Sequence, residues 1–439
     1  MPFCFRRIYV AIAAWVMVFF MPGNAESDKS YTAFSLSVDD IQAILNHTII
    51  VPAHTTHIAD ISFLCADIKY NNGTLKFCEL GDALYMSFTR DMQLEINGNI
   101  KTMHAPGWGI FWHYLKQFGL PIWFVGTLHN RNAQALDVFE KIGASYQTTL
   151  HDLEGKSLFQ NARKKDFVKT NNLNDYRGII VYCPLIRTKG DHKAVEAFKK
   201  RYPEFIFINS IAHHIAARKD RTYQLFYDAG LSHYLPKFKI YPKVYQPEMI
   251  NDILASFDSK YLVVKPLAGS CSKGVSIIKK NKLPSFLSKI LTNTTSLKKN
   301  MAPWMSEWGN DNDANFMISE YAASKTLFKN NKPYNPTMRI MCLLHHNQGM
   351  ITITVIGAFW KIPAYSLDDQ VSLTEKHVTR AHLIFPDPDA FHSGILVEKD
   401  DMHNVRQILN GCLPILYEKM LTQQHAAVSF IEGETYAKK

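Results

Sequence analysis

Lys265 closes a short apolar run, Tyr261 to Lys265, and the chain then reads Pro266-Leu267-Ala268-Gly269-Ser270-Cys271-Ser272-Lys273-Gly274 before a second apolar run, Val275 to Ile278. The pattern predicts two strands joined by a hairpin with a pliant tip. Glycine and serine let backbone N–H groups approach an anion closely, and a lysine at a strand end adds a compact positive charge. Lys265, Gly269, Ser270, Ser272, Lys273 and Gly274 could therefore enclose phosphate oxygens, and a triphosphate suits such a set. The loop is not a P-loop, because Val275-Ser276 follows Gly274 where that motif needs Lys and Ser/Thr opening a helix. A purely structural hairpin is the competing reading of this segment alone.

Three further segments bear on that choice. Upstream, Asn209 is followed by Ala217-Arg218-Lys219-Asp220-Arg221, then Ala229-Gly230-Leu231 and Leu235-Pro236-Lys237. Downstream come Phe316-Met317-Ile318-Ser319-Glu320-Tyr321-Ala322, and then Thr337-Met338-Arg339-Ile340 leading to Ile351–Phe359 and Trp360-Lys361. In order and spacing, residues 205 to 365 resemble the ATP-grasp superfamily, in particular its carboxylate-amine ligases. The resemblance implies that Lys265 and the glycine-rich flap hold the phosphates of ATP, with Arg221 standing where the family's Asp-Lys pair has a nucleotide-contacting lysine. It also implies that Glu320, Tyr321 and Ala322 form the hinge that reads adenine and ribose, and that Arg339 and Lys361 act on the phosphates as catalytic groups. ATP and Mg2+ are the implied cofactors. The implied reaction phosphorylates a small carboxylate or peptide substrate to an acylphosphate, which an amine then attacks.

The family's metal ligands are where the chain departs. ATP-grasp ligases hold magnesium through an acidic residue on one late strand and a Glu-x-Asn on the next. Here a helix expected over Met402 to Leu421 is followed by Ala427-Val428-Ser429-Phe430-Ile431-Glu432-Gly433-Glu434, with Ser429 at the place of the aspartate. No Glu-x-Asn follows in the 439 residues, which leaves the metal ligands unassigned and Glu432, Glu434, Asp368 and Asp369 as substitutes. A catalytically inactive, exported binding or effector protein on the same scaffold is the alternative.

The elements that must position these residues follow from periodicity. Between about 34 and 150, short apolar runs such as Ile61 to Ile68 and Leu75 to Cys78, with the turn signal Asn71-Asn72-Gly73, predict strands and hairpins, and Asn132 to Ile142 predicts a helix. From about 176, strand Gly178–Tyr182, helix His192–Tyr202 and strand Phe205–Asn209 predict a small parallel unit, after which Leu235–Pro247 reads as a linker. The expected organisation is thus α/β (α+β): a signal peptide over 1–25, a mixed N-terminal domain over 26–175, a pre-grasp α/β unit with linker over 176–247, and an ATP-grasp-type module over 248–439. Arg6 and Arg7 ahead of the apolar run Ile8 to Met21, with small residues at Gly23-Asn24-Ala25, predict export, to the periplasm or beyond, and no membrane span after cleavage.

Composition narrows the partners. The formal charge of +10 is spread over clusters such as Arg163-Lys164-Lys165 that lack interleaved aromatics, so solvated faces are expected and nucleic acid is not. Of seven cysteines, Cys65 and Cys78 could bridge adjacent strands or remain free thiols. No Gly-x-Ser-x-Gly elbow or His-Glu-x-x-His helix occurs, and the adjacent pairs His213-His214 and His345-His346 diverge in any regular structure. Glu79-Leu80-Gly81-Asp82 and Trp108 read equally as cleft residues or as turns.

Overall fold

Asn72 and Gly73, at φ 46° and 82°, turn the chain between two strands, and two successive left-handed residues are what a tight hairpin turn of matching twist requires. The hairpin belongs to a computed structural model that describes residues 37–54, 58–83, 92–96, 99–103, 107–126, 145–147, 149–154, 167–182, 189–210, 218–267, 274–292, 308, 313–378 and 397–436. The expected signal segment 1–25, the helix predicted over 132–142 and the pair His213-His214 lie outside the described residues.

Seventeen strands, β1 to β17 in chain order, fall into four sheets among the described residues. The largest is antiparallel and runs β3 (Thr74–Asp82), β2 (Asp60–Asn71), β16 (Thr337–Asn347), β17 (Met350–Lys361), β4 (Met92–Ile96), β5 (Asn99–Met103), with β1 (Thr48–Pro52) also paired to β17. A parallel sheet runs β7 (Ser145–Gln147), β6 (Ile122–Val125), β8 (Gly178–Tyr182), β9 (Phe205–Phe207). A second antiparallel sheet runs β10 (Phe238–Pro242), β13 (Asn315–Glu320), β11 (Tyr261–Pro266), β12 (Ser276–Lys279), and β14 (Leu327–Lys329) pairs with β15 (Lys332–Tyr334). The fold is α/β with several sheets.

Three observations bear on the expected elements. The sheets run across the boundary placed at residue 175, since β6 and β7 share a sheet with β8 and β9, and β2 pairs with β16. Leu235–Pro247 is not a free linker: its Phe238–Pro242 segment pairs with β13, because an extended stretch beside an open edge gains a full ladder of hydrogen bonds. The segment 427–434 lies in a single helix, Lys399–Tyr436. Propagating an established helix adds a bond per residue, and Gln423 to Ile431 contains no glycine or proline to stop it.

That helix covers one face of the large sheet. Met402, Val405, Leu409, Leu413, Leu416 and Met420 recur at helical spacing and pack in one core with Leu64, Ala66, Ile68 and Tyr70 of β2 and Ile340, Cys342 and Leu344 of β16. The alternate positions of β2 change character along the strand: Ile61, Phe63 and Cys65 are apolar, whereas Asp67 and Lys69 carry charge. Cys65 and Cys78 are both free, and their register shows why no bridge forms. Cys65 lies opposite Gly81, and the ladder steps from Asp67↔Glu79 to Ile68↔Phe77, leaving Cys78 as the extra residue of a bulge.

Gly178 packs its bare Cα against an indole: a Cβ there would stand 2.1 Å from Cζ3 of Trp123 and 2.8 Å from the Pro121 carbonyl oxygen. Trp123 is only 5% exposed, so the ring has no solvent to swing into. Gly178→Ala is therefore expected to lower stability by about 2–3 kcal/mol, read as a lower urea midpoint at unchanged slope.

Candidate functional site

Two sheets, a helix N-terminus and a short helix converge on a solvent-open cleft with a cavity volume of about 110 Å3. The small antiparallel sheet contributes Val263 and Lys265 from β11, Ile277 from β12 and the strip Ser319-Glu320-Tyr321-Ala322 at and beyond the end of β13. From the large sheet come Asp67 and Lys69 of β2, Cys78 and Glu79 of β3, Thr337 of β16 and Lys361 of β17. Lys219 and Tyr223 enter from helix Lys219–Asp228, and His377 from helix Leu373–His377. Four lysines thus face the cleft against three carboxylates, Asp67, Glu79 and Glu320.

Lys265 is not a surface lysine. It is 6% exposed, its Nζ donates to the Tyr223 hydroxyl at 2.9 Å, and it lies 4.5 Å from the centre of that ring, a cation–π geometry. Burial lowers its pKa, while the nearby Cys78 and Glu79 act in the opposite sense. Lys219 is anchored to the same strand end, because its backbone N–H donates to the Leu267 carbonyl at 3.1 Å. Its buried ammonium lies 4.0 Å from Glu79 Oε1.

The expectation for Arg221 is corrected here. Lys219 and Tyr223, four residues apart, share the inward face of the helix, whereas Arg221 is exposed and does not line the cleft. Two residues of helix correspond to roughly 200° of rotation, so Arg221 leaves on the far side. The cation that the cleft receives from this motif is Lys219.

Arg339 and Lys361 meet at Asp67. Arg339 lies directly across the ladder from Asp67 and grips it side-on, Nε to Oδ1 at 2.7 Å and Nη2 to Oδ2 at 2.8 Å; Lys361 Nζ donates to Oδ2 at 2.6 Å. Burial alone would raise the Asp67 carboxyl, but the two cations hold it well below the usual carboxylate range. Lys361 is pushed down by burial and by Arg339. Asp67 and Lys361 line the cleft and Arg339 does not, so the guanidinium reaches this space only through the carboxylate it holds.

Lys69 stands two residues along β2 on the same face. Its Nζ donates to the Pro336 carbonyl at 2.8 Å, with Asn335 Oδ1 at 3.5 Å, and burial pushes it down to about 8. Asn335 Oδ1 also accepts from the Tyr321 hydroxyl at 3.0 Å, and the Tyr321 hydroxyl oxygen lies 2.8 Å from His377 Nδ1. Burial pushes His377 down to about 4, so its ring is neutral near pH 7, and burial raises Tyr321.

The remaining expected residues sort as follows. Glu320, Tyr321 and Ala322 do line the cleft, and the Glu320 backbone N–H is spent on the Lys237 carbonyl at 2.8 Å. Gly274 adopts φ +72°, a Cβ there would sit 2.9 Å from Pro266 Cγ, and its carbonyl accepts from Trp308 Nε1 at 2.8 Å. Gly269, Ser270, Ser272 and Lys273 lie outside the described residues. Asp369 accepts from the Ser366 N–H at 2.7 Å and pairs with Lys332 at 3.4 Å, so it serves a turn. The side chains of Glu432 and Glu434 are outside the described residues. Among the described residues no group of three His, Cys, Asp or Glu is placed to hold a metal ion.

Sequence reasoning missed Asp67, Lys69, Tyr223 and His377, and it assigned Lys219 no role. Two of these had a visible signal, since Asp67 and Lys69 are charges set in the long apolar run of β2. Glu79, flagged with Leu80-Gly81-Asp82, is a cleft residue on a strand and not a turn.

No family model matches the chain, and no curated protein matches it. Solved structures do align with it. One from Methylobacillus flagellatus, provisionally named a gamma-glutamylcysteine synthetase, is 10% identical over 85% of this chain and 91% of its own, with a TM-score of 0.38. A D-cycloserine synthetase is 10% identical over 66% and 99% (TM-score 0.28), and the D-alanine-D-alanine ligase of Helicobacter pylori 9% identical over 54% and 90% (TM-score 0.27). At such identities and scores the chemistry has to come from the chain's own residues.

Lys69 gives the cleft a measurable signature. Its ordinary pKa is 10.5 and its folded value about 8, so between those values the unfolded chain binds a proton that the folded chain has released. Stability then rises with pH across that window and is flat below it. From pH 8 to 9.5 a gain of about 1–2 kcal/mol is expected, and Lys69→Met should lose most of it when urea midpoints are compared at the two pH values.

Proposed function

We propose that the cleft binds ATP and that the protein is an ATP-dependent carboxylate-amine ligase on an ATP-grasp-type module. The observation that carries this reading is the convergence of Lys69, Lys219, Lys265 and Lys361, from four separate elements, on a single cleft that Glu320, Tyr321 and Ala322 also line. Four buried ammonium groups need acceptors or counter-charge near them, and they outnumber the three carboxylates that line the same cleft, which favours an anionic guest. The ordered sequence resemblance over residues 205 to 365 supports the same guest.

Each group has a part in that reading. Lys265 and Lys219 stand beside each other at the end of β11 and neutralise phosphate oxygens. Tyr223 holds Lys265 by its hydroxyl and ring face, so the ammonium is oriented before the ligand arrives. Glu320, Tyr321 and Ala322 line the same cleft, and their backbone groups and one carboxylate suit a nucleoside. Lys361, held at Asp67, stabilises the charge that develops on a transferred phosphoryl group. ATP supplies the phosphoryl group: a substrate carboxylate oxygen bonds to the γ-phosphorus as the bond to ADP breaks, and an amine nitrogen then displaces phosphate from the acyl carbon. No step is assigned to magnesium.

A second reading, a binding module without turnover, is favoured by one observation, the unbroken helix through 427–434 where the family's metal-holding strand was expected. Calorimetric titration with ATP, with and without magnesium, separates the two when combined with ADP release on amino-acid and short-peptide substrates. For either reading, Lys265→Met and Lys219→Met are each expected to weaken ATP at least about tenfold, the loss of one charge-assisted hydrogen bond, while Arg221→Met leaves it unchanged. Absence of binding heat in the wild-type chain would rule out both readings.

A further inference from the structure

Asp67 presents an unusual ligand set for a residue in a phosphate-binding cleft: it is an anion, it is 8% exposed, and it already accepts three bonds of 2.6 to 2.8 Å from Arg339 and Lys361. A carboxylate gripped side-on by a guanidinium and capped by an ammonium occupies the acceptor positions that a phosphate or a substrate carboxylate would fill on the same donors. Because Asp67 and Lys361 line the cleft and Arg339 does not, the Asp67 carboxylate is what the ligand space meets in front of the guanidinium. We propose that Asp67 is a resident counter-ion seated where an anionic ligand group would engage Arg339 and Lys361, and that it holds down the affinity of the cleft for polyanions. The inference rests on the nucleotide reading of this cleft and adds a specificity-determining residue to it.

The physical case is one of competing anions. Arg339 and Lys361 are buried cations at one carboxylate, with side-chain exposures of 16% and 11%, and without Asp67 they would repel each other with little water to screen them. Their free-state stability therefore depends on Asp67, and a ligand anion gains only what exceeds the interaction Asp67 already provides. The strand register fixes this arrangement, since Asp67 and Arg339 are direct cross-strand neighbours on β2 and β16. A residue that merely oriented Arg339 would behave in the opposite way, because its loss would disperse the cations and weaken binding.

The test compares ATP and AMP on the full chain by calorimetry, using the wild type and Asp67→Asn, which keeps the shape and removes the charge. Asp67→Asn is expected to lower the unliganded melting temperature and to tighten ATP by at least about tenfold, with a smaller gain for AMP, and the thermal shift on adding ATP should exceed that of the wild type. Unchanged or weaker ATP binding, or an equal gain for ATP and AMP, overturns the inference. If Asp67→Asn does not fold, the comparison moves to Arg339→Gln, where adding Asp67→Asn restores the wild-type charge of the trio and is expected to tighten ATP relative to Arg339→Gln alone; no tightening there overturns it equally. A wild-type chain without binding heat removes the nucleotide reading and this inference together, whereas wild-type binding with no response to Asp67→Asn removes this inference alone.

Discussion

Burying five cations around one cleft is the constraint on which the rest of the structure depends. An ammonium or guanidinium removed from water costs several kcal/mol unless acceptors or counter-charges meet it. Each of the five has a distinct solution: Lys265 has the hydroxyl and ring of Tyr223, Lys69 the Pro336 carbonyl, Lys219 the carboxylate of Glu79, and Arg339 and Lys361 share Asp67. The solutions are unequal, and that inequality gives the cleft its character. Arg339 and Lys361 are tied to an anion, whereas Lys69, held by a neutral acceptor, has lost much of its preference for the proton.

The architecture follows from these demands. β2 sits between β3 and β16 in the large sheet, so one strand carries core residues on one face and Asp67 and Lys69 on the other. The bulge that leaves Cys78 unpaired sits beside Glu79 at the cleft wall, in keeping with the tendency of bulges to re-aim side chains next to sites. The helix Lys399–Tyr436 seals the opposite face with a continuous apolar row, and that burial holds β2 and β16 in the register on which the Asp67–Arg339 pair depends.

Much of the fold was legible because it is written in local periodicity. The β2–β3 hairpin, the β8–helix–β9 unit and the lysine strand β11 were all expected at close to their observed positions, since alternation, helical spacing and turn residues act between near neighbours. Two misreadings have the same origin in reverse. Phe238–Pro242 lost its strand character among prolines until β13 supplied an edge, and 427–434, set by the resemblance at the family's metal-holding strand, lies within the helix that precedes it.

Sequence by itself determined which charges were on offer: a lysine at a strand end, an arginine and a lysine on two later strands, and a glutamate closing another. It could not determine their partners. Arg339 meets Asp67 across 272 positions and Lys361 meets it across 294, and such pairs are set by strand register across a sheet, which no local pattern encodes. Lys219 and Arg221 offer the same charge two residues apart, and only the packing of their helix against β3 and the helix Lys399–Tyr436 decided which of them turns inward. Residue type fixes what a side chain can do, while desolvation and the counter-charge beside it, both tertiary quantities, fix whether it does so.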